Sequence, residues 1–432
     1  MVPWWGMIEK RQIGILIGNS SLKAIVALVS ASAVGPILLL IAMPLLTRLY
    51  SPDEFGLLAN FNALAVAVLA ISSLRYEVAI PVPRSDRRAS VVLATALGIN
   101  ILFAIASLLI VMLFGKQIAN SFHAPDLHNL LFILPAVIAC GGTYKALSFW
   151  AVRQQAFGDL ARTRLTQSSS NIAVQVIGGI LGWSVYGLAA GQFFGYGLGA
   201  MRLARGLSFV RLTNLLFDRR NFPLGTLSAF SRFPRFDAPA ALIEVINAQS
   251  PNLLLSALFG PAIGGLYMLC DRALNYPLQL ISQSISQVLL AQGRQGLNRK
   301  AFKRSIERIS LALAALMALP AIILFTLGEP LFTLIFGHRW AGAGTFAALI
   351  VFGSAARMVM ASIAPALITT EGQKINLAIN VIWLLAKTTA LFLGFALRSP
   401  LLAIGGVSLA EFIGCAIGSL FAIYRVRAST NR

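Results

Sequence analysis

Twelve apolar runs, each long enough to cross a lipid bilayer, follow one another along the 432-residue chain. A helical span needs about 20 residues to cross a hydrocarbon core of about 30 Å. Only 12% of the residues are charged, about half the share of about 25% found in soluble domains. The sequence therefore predicts an all-α polytopic membrane protein and excludes a soluble enzyme. The predicted spans are 22–47, 55–74, 89–114, 129–150, 165–183, 185–204, 239–259, 264–291, 308–328, 345–367, 375–397 and 401–424.

Basic residues are distributed unevenly between the two sets of loops. The two termini and the connections on their side hold 27 Lys and Arg residues, whereas the opposite connections hold only four, Arg48, Lys116, Arg339 and Arg398. Cytoplasmic loops are enriched in Lys and Arg, so both termini are predicted to be cytoplasmic. This distribution also accounts for the net charge of +20 without a nucleic-acid partner.

A short segment recurs after 209 residues, close to half the length of the chain. The connection after the first span reads LYSPDEFGL at 49–57, and the connection after the seventh reads LFGPAIGGL at 258–266. Two leucines, an aromatic residue, a proline and a glycine coincide. The repeat predicts a duplicated six-helix unit, and therefore two six-helix bundles around a central cavity.

The repeat and the loop charges together predict the organisation of the chain. The two lobes span 22–204 and 239–424, and the basic segment 205–238 is the cytoplasmic linker between them. Residues 1–21 form a cytoplasmic or interfacial segment, and 425–432 form a cytoplasmic tail. Trp4 and Trp5 fit interfacial anchors, although an unstructured terminus is an equal alternative.

Seven charged residues lie within the predicted spans, besides Lys23, Arg202 and Arg308 near span ends, which are counted with the loops. An ionised group inside a span costs about 2.5–3.5 kcal/mol. Lys387 and Glu411 fall at similar depths in neighbouring spans, so they are predicted to pair, either as a structural ion pair or as part of a transport site. Arg357 has no evident partner and is the first candidate for binding an anion. The other four are Lys145, Glu244, Asp271 and Arg272.

Two helical faces carry polar residues at intervals of three or four, which places them on one side of a helix. Each face either bonds to a neighbouring helix or lines the cavity, and the length of the longer one favours the cavity. The longer face consists of Asp271, Asn275, Gln279, Ser282 and Ser286. The shorter face consists of Gln167, Ser168, Asn171 and Gln175.

A group of charges is predicted at the cytoplasmic mouth. Arg75 and Glu77 follow the second span and are gate candidates, although a solvated interfacial pair is an equal alternative. Lys145 is a third gate candidate, but its long side chain can instead extend to the interface.

Catalytic and cofactor chemistry find little support in the sequence. Cys140, Cys270 and Cys415 lie inside apolar runs, and the three histidines are scattered over two predicted loops. The sequence contains no phosphate-binding loop ending in GKS or GKT, which an ATP-driven pump would need. We therefore expect neither enzymatic activity nor a metal or cofactor.

Four stretches of this sequence resemble the polysaccharide-biosynthesis flippases of the multidrug/oligosaccharidyl-lipid/polysaccharide superfamily, whose members include the O-antigen and exopolysaccharide flippases. They are LLTRLYSPDEFG at 45–56, RYEVAIPVP at 75–83, FPRFDAPAALIEVINAQSPNLLLSALFG at 233–260 and GGLYMLCDRALNYPLQLISQSISQVLLAQ at 264–292. The resemblance covers most of the chain, but it says little about the substrate because members that carry different glycans share these stretches.

The resemblance implies alternating access and movement of an undecaprenyl-pyrophosphate-linked oligosaccharide from the inner to the outer leaflet of a bacterial cytoplasmic membrane. It gives Arg357, Lys387 and Arg272 the role of binding the pyrophosphate or acidic sugars. The polar face of Asn275, Gln279, Ser282 and Ser286 then completes the substrate site. Glu411, Asp271 and Glu244 are candidates for a coupling-ion site or for ion pairs. The expected partners are the lipid-linked glycan, membrane lipid and, in a wider assembly, polysaccharide polymerase or ligase machinery.

The main alternative is an ion-coupled drug or small-molecule antiporter of the same superfamily. Such a protein is expected to centre on buried carboxylates, whereas these spans hold four basic residues and three acidic ones. A peptidoglycan-precursor flippase is expected to have two further spans. A membrane-embedded polymerase and a scaffold without transport activity are the remaining alternatives.

Overall fold

The computed structural model describes residues 35–206, 230–294, 299–369 and 373–430, and these residues form helices without any strand. Each of the twelve predicted spans corresponds to one long helix. They are α1 (Gly35–Leu49), α2 (Pro52–Ile71), α3 (Asp86–Ser121), α4 (Leu134–Arg153), α5 (Phe157–Ile180), α6 (Val185–Gly206), α7 (Ala238–Phe259), α8 (Pro261–Arg294), α9 (Arg299–Phe336), α10 (Ala341–Thr369), α11 (Gln373–Ala396) and α12 (Pro400–Thr430).

The length and composition of these helices are those of a multi-pass membrane protein. Within the described ranges, α2, α3, α4, α9, α10 and α12 contain segments long and apolar enough to cross a bilayer on their own, and α1 and α11 contribute shorter apolar segments. Large apolar side chains on α9 face outward, among them Leu311, Leu319 and Phe325, each at least 65% exposed. Such a surface is stable in lipid and unfavourable in water.

The helices of the two halves pack in the same pattern. In the first half α4 packs against α2, α3 and α6, and α5 packs against α6. In the second half α10 packs against α8, α9 and α12, and α11 packs against α12. Each of these contacts thus recurs six helices later, which gives the two six-helix bundles. The halves meet where α2 packs against α7 and α8.

Part of the predicted domain organisation falls outside the described residues. This applies to the segment 1–21, with Trp4 and Trp5, and to most of the predicted linker, of which 207–229 are not described. The lobe boundaries therefore stay predictions. The predicted tail at 425–432 differs in one respect, because α12 continues as a helix to Thr430.

The repeated segment forms the start of α2 in one half and the start of α8 in the other. Ser51 caps α2 by accepting a hydrogen bond from the backbone N–H of Glu54, whose carboxylate accepts one from the backbone N–H of Ser51 in return. Pro52 and Pro261 occupy the first positions of their helices, where a missing N–H is harmless. Beside the turn, burial and the nearby Glu54 raise the pKa of Tyr50 to about 12, and its hydroxyl donates to the carbonyl of Gln175 at 2.6 Å.

The glycines of the repeat bring α2 and α8 into backbone contact. A methyl group on Gly56 would overlap the carbonyl of Pro261, and one on Gly265 would overlap the carbonyl of Pro52. One turn further, Asn60 Nδ2 donates to Ser256 Oγ of α7 at 2.7 Å. The two halves are therefore closely packed at this end of the bundle, which is the predicted outer end.

Replacement of either glycine by alanine is expected to separate the two halves at this end. We expect Gly56→Ala and Gly265→Ala each to destabilise the protein by about 3 kcal/mol, since the overlap is with backbone and overpacking typically costs about 1–3 kcal/mol. The measurement is the thermal unfolding of the purified protein in detergent.

The matched control for these variants is Gly98→Ala, because no atom lies within 4 Å of the site where a Cβ would stand. Alanine there should be neutral or stabilise α3 by up to about 1 kcal/mol. Equal melting temperatures for Gly56→Ala and Gly98→Ala would contradict the close contact between α2 and α8.

Candidate substrate cavity and charge clusters

A polar cavity of about 320 Å³ lies between the two halves. Its walls come from α1, α2, α5 and α6 of the first half and from α7 and α8 of the second. It lies next to the contact between Asn60 and Ser256, on the predicted cytoplasmic side of that contact. Its lining includes Asn62, two residues after Asn60 in α2, and Asn252, one turn before Ser256 in α7. The volume is within the range of about 300–1,000 Å³ that is typical of small-molecule sites.

Side-chain amides dominate the polar lining of this cavity. The first half supplies Asn62, Gln167, Asn171, Gln175 and Gln192, and the second half supplies Gln249 and Asn252. Two tyrosines, Tyr196 and Tyr276, and two charged residues, Asp271 and Arg272, complete it. All of these residues except Asn62 lie on helices α5 to α8, and within the described ranges these four helices contain no segment that is apolar enough to count as an independent membrane span.

Small residues and a proline shape the walls. Gly191 and Gly195 of α6 lie against Asn171 of α5, with no room for a side chain, so these two helices pack closely. In α7, Pro251 lies inside the helix, where it cannot bond to the carbonyl four residues earlier. That carbonyl, of Asn247, instead accepts a hydrogen bond from Ser250 Oγ at 3.2 Å.

The sequence predicted part of this lining and missed part of it. The shorter polar face, for which both alternatives were open, contributes Gln167, Asn171 and Gln175 to the lining, while Ser168 packs beside Gly35 of α1. The missed residues are Asn62, Gln192, Tyr196, Gln249, Asn252 and Tyr276. Asn62 and Gln192 lie in apolar helices and do not extend a polar face; Asn60 is the one other amide of α2, and Gln192 is the one amide of α6. Gln192 Nε2 donates to Asn62 Oδ1. An amide within an apolar run is the signal that would have found them.

The longer polar face on α8 does not line the cavity along its whole length. Asp271 does, and its Oδ1 accepts a hydrogen bond from Asn275 Nδ2 at 2.7 Å. Ser282 is buried and donates to the carbonyl of Met358 on α10 at 3.1 Å, which is the alternative of a bond to a neighbouring helix. Gln279 is exposed and Ser286 half-buried, and neither lines the cavity.

A first charge cluster centres on Glu411 of α12. Its carboxylate lies 2.7 Å from Arg357 Nη2 and 3.5 Å from Lys387 Nζ. The pair of Lys387 and Glu411 agrees with the depths predicted for them. Arg357, for which the sequence showed no evident partner nearby, pairs with the same carboxylate, because α10 and α12 pack together and bring Glu411 to it across 54 residues of sequence.

The first cluster is electrically balanced and largely buried. The Glu411 and Lys387 side chains are only 3% and 5% exposed. Lys387 Nζ also lies 4.1 Å from the centroid of the Trp383 ring, a distance at which cation–π attraction is significant. Asp271 acts electrostatically on Arg357, so two carboxylates offset two cations. Glu244, in contrast, is exposed and forms no ion pair with any residue that the structure describes.

A second charge cluster joins the two halves at the predicted cytoplasmic end. Glu77 is fully buried and lies 3.6 Å from Lys145 Nζ and 3.9 Å from Arg75 Nη1. Arg75 Nε also donates to Asp237 Oδ2, at the start of α7, at 2.9 Å. The three gate candidates are therefore in contact, and Asp237 is a fourth member that the sequence did not indicate.

The end of α2 positions two residues of this cluster, Arg75 and Lys145. Leu74 and Arg75 both have positive φ angles, of 48° and 63°. They separate the end of α2 from the short helix Tyr76–Ala79.

The proposed extension of Lys145 to the interface is wrong, since Lys145 Nζ donates to the carbonyl of Leu69 at 2.8 Å and pairs with Glu77. A cation at the carboxyl end of a helix is favourable, which explains why the Lys145 side chain points toward the last turn of α2.

Among the residues that the structure describes, no three His, Cys, Asp or Glu side chains cluster as metal ligands would. The three cysteines are free thiols. Among the described residues, the candidate functional sites are therefore the cavity and the two charge clusters.

Comparison with known families and curated proteins identifies relatives. The model of a family described as "Polysaccharide biosynthesis protein" matches residues 45–345. The succinoglycan biosynthesis transport protein ExoT of Rhizobium meliloti (strain 1021) is 24% identical over 308 residues, which are 70% of this chain. The match spans 60% of the length of that relative.

Several solved transporter structures share the fold. The lipid II flippase MurJ in an inward closed conformation has a TM-score of 0.73 at 15% identity, with 92% of this chain and 87% of that chain covered. The MATE transporter VcmN of Vibrio cholerae has a TM-score of 0.56 at 12% identity, covering 96% and 99%. A MOP superfamily transporter from Pyrococcus furiosus has a TM-score of 0.58 at 14% identity, covering 94% and 96%.

Proposed function

Because the chain belongs to the family of polysaccharide biosynthesis proteins, within the MOP superfamily of membrane transporters, we propose that it is a flippase for a polyprenyl-pyrophosphate-linked oligosaccharide. The proposed substrate is an undecaprenyl-linked repeat unit, moved from the inner to the outer leaflet of a bacterial cytoplasmic membrane for surface polysaccharide or lipopolysaccharide synthesis. The observation that carries the proposal is the polar cavity between the two halves. Both termini are proposed to be cytoplasmic.

Alternating access is proposed because the contacts at the two ends of the cavity differ. At the predicted outer end the halves are held by backbone packing of α2 against α8. At the predicted cytoplasmic end they are held by the ion pair of Arg75 and Asp237 and by Phe230 and Phe233, which pack against the apolar cluster around Tyr76 and Trp150 of the first half. The two phenylalanines and the ion pair are side-chain contacts that are partly exposed, and such an ion pair contributes only about 0–1 kcal/mol. The cytoplasmic end is therefore proposed to open first and admit the substrate.

The cation best placed for the pyrophosphate is Arg272. It lines the cavity and forms no ion pair with another described residue, whereas Arg357 and Lys387 are both engaged by Glu411. A pyrophosphate crossing bare hydrocarbon loses its hydration at a prohibitive cost. Charge-assisted hydrogen bonds from a guanidinium replace that hydration, and its planar fork matches phosphate oxygens. The polyprenyl tail is proposed to stay in the lipid beside the protein.

The test measures how much lipid-linked oligosaccharide accumulates after deletion of the gene and in which leaflet it lies. We expect accumulation on the cytoplasmic leaflet and loss of the surface polysaccharide, both reversed by the normal protein. Arg272→Gln should fail to reverse them, because it removes the cation of the cavity. Arg339→Gln, which changes an exposed arginine on the opposite side of the membrane from the termini, is the matched control and should restore export.

The antiporter remains the second candidate. Its expected buried carboxylate is present as Glu411, but two cations already neutralise that group, which favours the flippase. Unchanged surface polysaccharide and no accumulated lipid-linked glycan after deletion would support the antiporter instead.

A further inference from the structure

Two aromatic side chains cross between the halves at the predicted outer end, in addition to the backbone contact of α2 and α8. Trp340 follows α9 of the second half, and its Nε1 donates to the carbonyl of Thr47 in α1 at 2.8 Å. His123 follows α3 of the first half, and its Nδ1 lies 3.0 Å from the carbonyl oxygen of Ala257 in α7. A carbonyl can only accept, so His123 Nδ1 is the donor. Each half thus binds the other through one ring N–H.

The two contacts occupy equivalent places in the two halves. His123 comes from the connection between α3 and α4, and Trp340 comes from the connection between α9 and α10, six helices later. The acceptors lie in the last turns of α1 and α7, which are also six helices apart. The outer end is therefore closed twice by the same kind of contact, once from each half.

Both acceptor carbonyls lack the partner that a helix normally provides. A helical carbonyl accepts from the N–H four residues later. For Ala257 that residue is Pro261, which has no N–H. For Thr47 it is Ser51, whose N–H donates instead to the carboxylate of Glu54 in the cap of α2. Free carbonyls at a helix end need other partners, and the two ring N–H groups of the opposite half supply them.

A hydrogen-bonded turn positions each donor. His123 has a positive φ of 49°, and the N–H of Ala124 donates to the carbonyl of Ala119 across it, as at a helix end where glycine is preferred. A residue other than glycine is uncommon in this conformation. After α9 the positive φ belongs to Gly337, and Trp340 ends the short helix that follows. Both rings therefore project from fixed turns.

The two contacts differ in their exposure to water. Trp340 is 0% exposed, and its ring packs edge-on against Phe55 of α2 with the ring centroids 4.9 Å apart. His123 is exposed, and a hydrogen bond competes with water there. If the halves separate at this end, the indole must leave its place beside α1 and α2. Trp340 therefore provides the stronger contact and His123 the weaker one.

We propose that Trp340 and His123 are the latches of the outer gate, and that the protein opens to the outside only when both rings leave the helix ends of the opposite half. The proposal rests on the proposed function and deepens it, because it names the residues that determine how often the outer side opens. The carbonyls of Thr47 and Ala257 are the fixed points to which the latches return.

The experiment measures how fast a cysteine in the cavity reacts with a membrane-impermeant maleimide added to the outside of spheroplasts. The reporter is Val66→Cys, in a variant with Cys140, Cys270 and Cys415 replaced, because Val66 lines the cavity and is 36% exposed. The reagent can reach this residue only through the outer end. The reaction rate therefore follows the fraction of time for which the outer gate is open.

Each latch variant is expected to react faster than the reporter protein with both latches intact. His123→Leu removes the exposed hydrogen bond and should raise the rate about threefold, and Trp340→Phe removes the buried one and should raise it about tenfold. The double variant should reach about thirtyfold, since the two contacts share no partner. His123→Asn keeps an N–H at the position of Nδ1 and should stay within about twofold of the intact latches.

The matched control is His338→Leu, at an exposed histidine of the connection that also carries Trp340, and its rate should not change. Unchanged rates in both latch variants, equal acceleration in the control, or failure of His123→Asn to restore the slow rate would each overturn the proposal. His123→Leu decides the outcome alone if Trp340→Phe does not fold.

The failure of this proposal is distinguishable from failure of the proposed function. The labelling requires no lipid-linked glycan, so rates that contradict the latches leave the flippase in place. If deletion of the gene leaves lipid-linked glycan unchanged while the latch variants react faster as expected, the flippase is overturned and the outer gate is retained.

Discussion

Glu411→Gln is expected to destabilise the protein by about 3–5 kcal/mol, the range observed when one partner of a buried ion pair is removed. The change leaves Arg357 and Lys387 facing each other with one carboxylate fewer, in a region where Lys387 is only 5% exposed. Glutamine keeps the size of the side chain, so the loss reports on charge and not on packing. Thermal unfolding in detergent, or the denaturant concentration at half-unfolding, measures it.

A second substitution tests whether the loss of stability comes from the unbalanced charge or from any change at this site. Lys387→Met removes the excess cation and keeps a long apolar side chain, so Lys387→Met combined with Glu411→Gln again balances Arg357 against Asp271. We expect the double variant to regain at least about half of the lost stability, with a coupling free energy of about 1–3 kcal/mol.

Glu244→Gln is the matched control, since Glu244 is exposed and forms no ion pair with another described residue. Its effect should stay within about 0.5 kcal/mol. A double variant as unstable as the sum of the single variants would contradict the coupling of Lys387 and Glu411.

The sequence predicted the helices well because span length and hydropathy are local properties. The predicted span 264–291 corresponds to α8 at Pro261–Arg294, and the predicted span 401–424 to α12 at Pro400–Thr430. The pair of Lys387 and Glu411 was also predictable, since the two spans are consecutive and antiparallel and depth follows from residue count. The repeat likewise identified the start of α2 and α8 as equivalent.

The remaining contacts depend on packing between helices that are distant in sequence. Arg357 meets Glu411 because α10 packs against α12, and nothing in either segment encodes that choice. Asp237 reaches Arg75 across 162 residues, and the sequence had assigned it to a solvated linker. Asn62 and Asn60 are the two amides of an otherwise apolar helix and lie two residues apart, so no helical periodicity distinguished Asn62. The sequence therefore predicted only part of the candidate site. The concentration of carboxamides in the cavity lining became evident only from the fold.

Linking residues 75 and 237 covalently is expected to abolish transport. In a variant with Cys140, Cys270 and Cys415 replaced, Arg75→Cys and Asp237→Cys place one thiol on each side of the contact in which Arg75 Nε and Asp237 Oδ2 now lie 2.9 Å apart. The cysteine side chains are shorter than the ones they replace, so the two thiols are farther apart than this distance. A short bifunctional thiol reagent with a reducible link should join them. Since alternating access requires the halves to separate at this end, export should fall to the level of the gene deletion and return after reduction.

The control is a link of the same kind within one half. Arg153 Nη2 and Asp86 Oδ1 lie 2.9 Å apart at the same end of the bundle, and they join α4 to the start of α3. Arg153→Cys with Asp86→Cys should therefore react with the reagent without loss of export, because both helices move together. If the two links reduce export equally, the first half is not a rigid unit, and if neither reduces it, the cytoplasmic ends of α2 and α7 need not separate. Loss of export with the first link alone would identify the contact of Arg75 and Asp237 as the point where the cytoplasmic side opens.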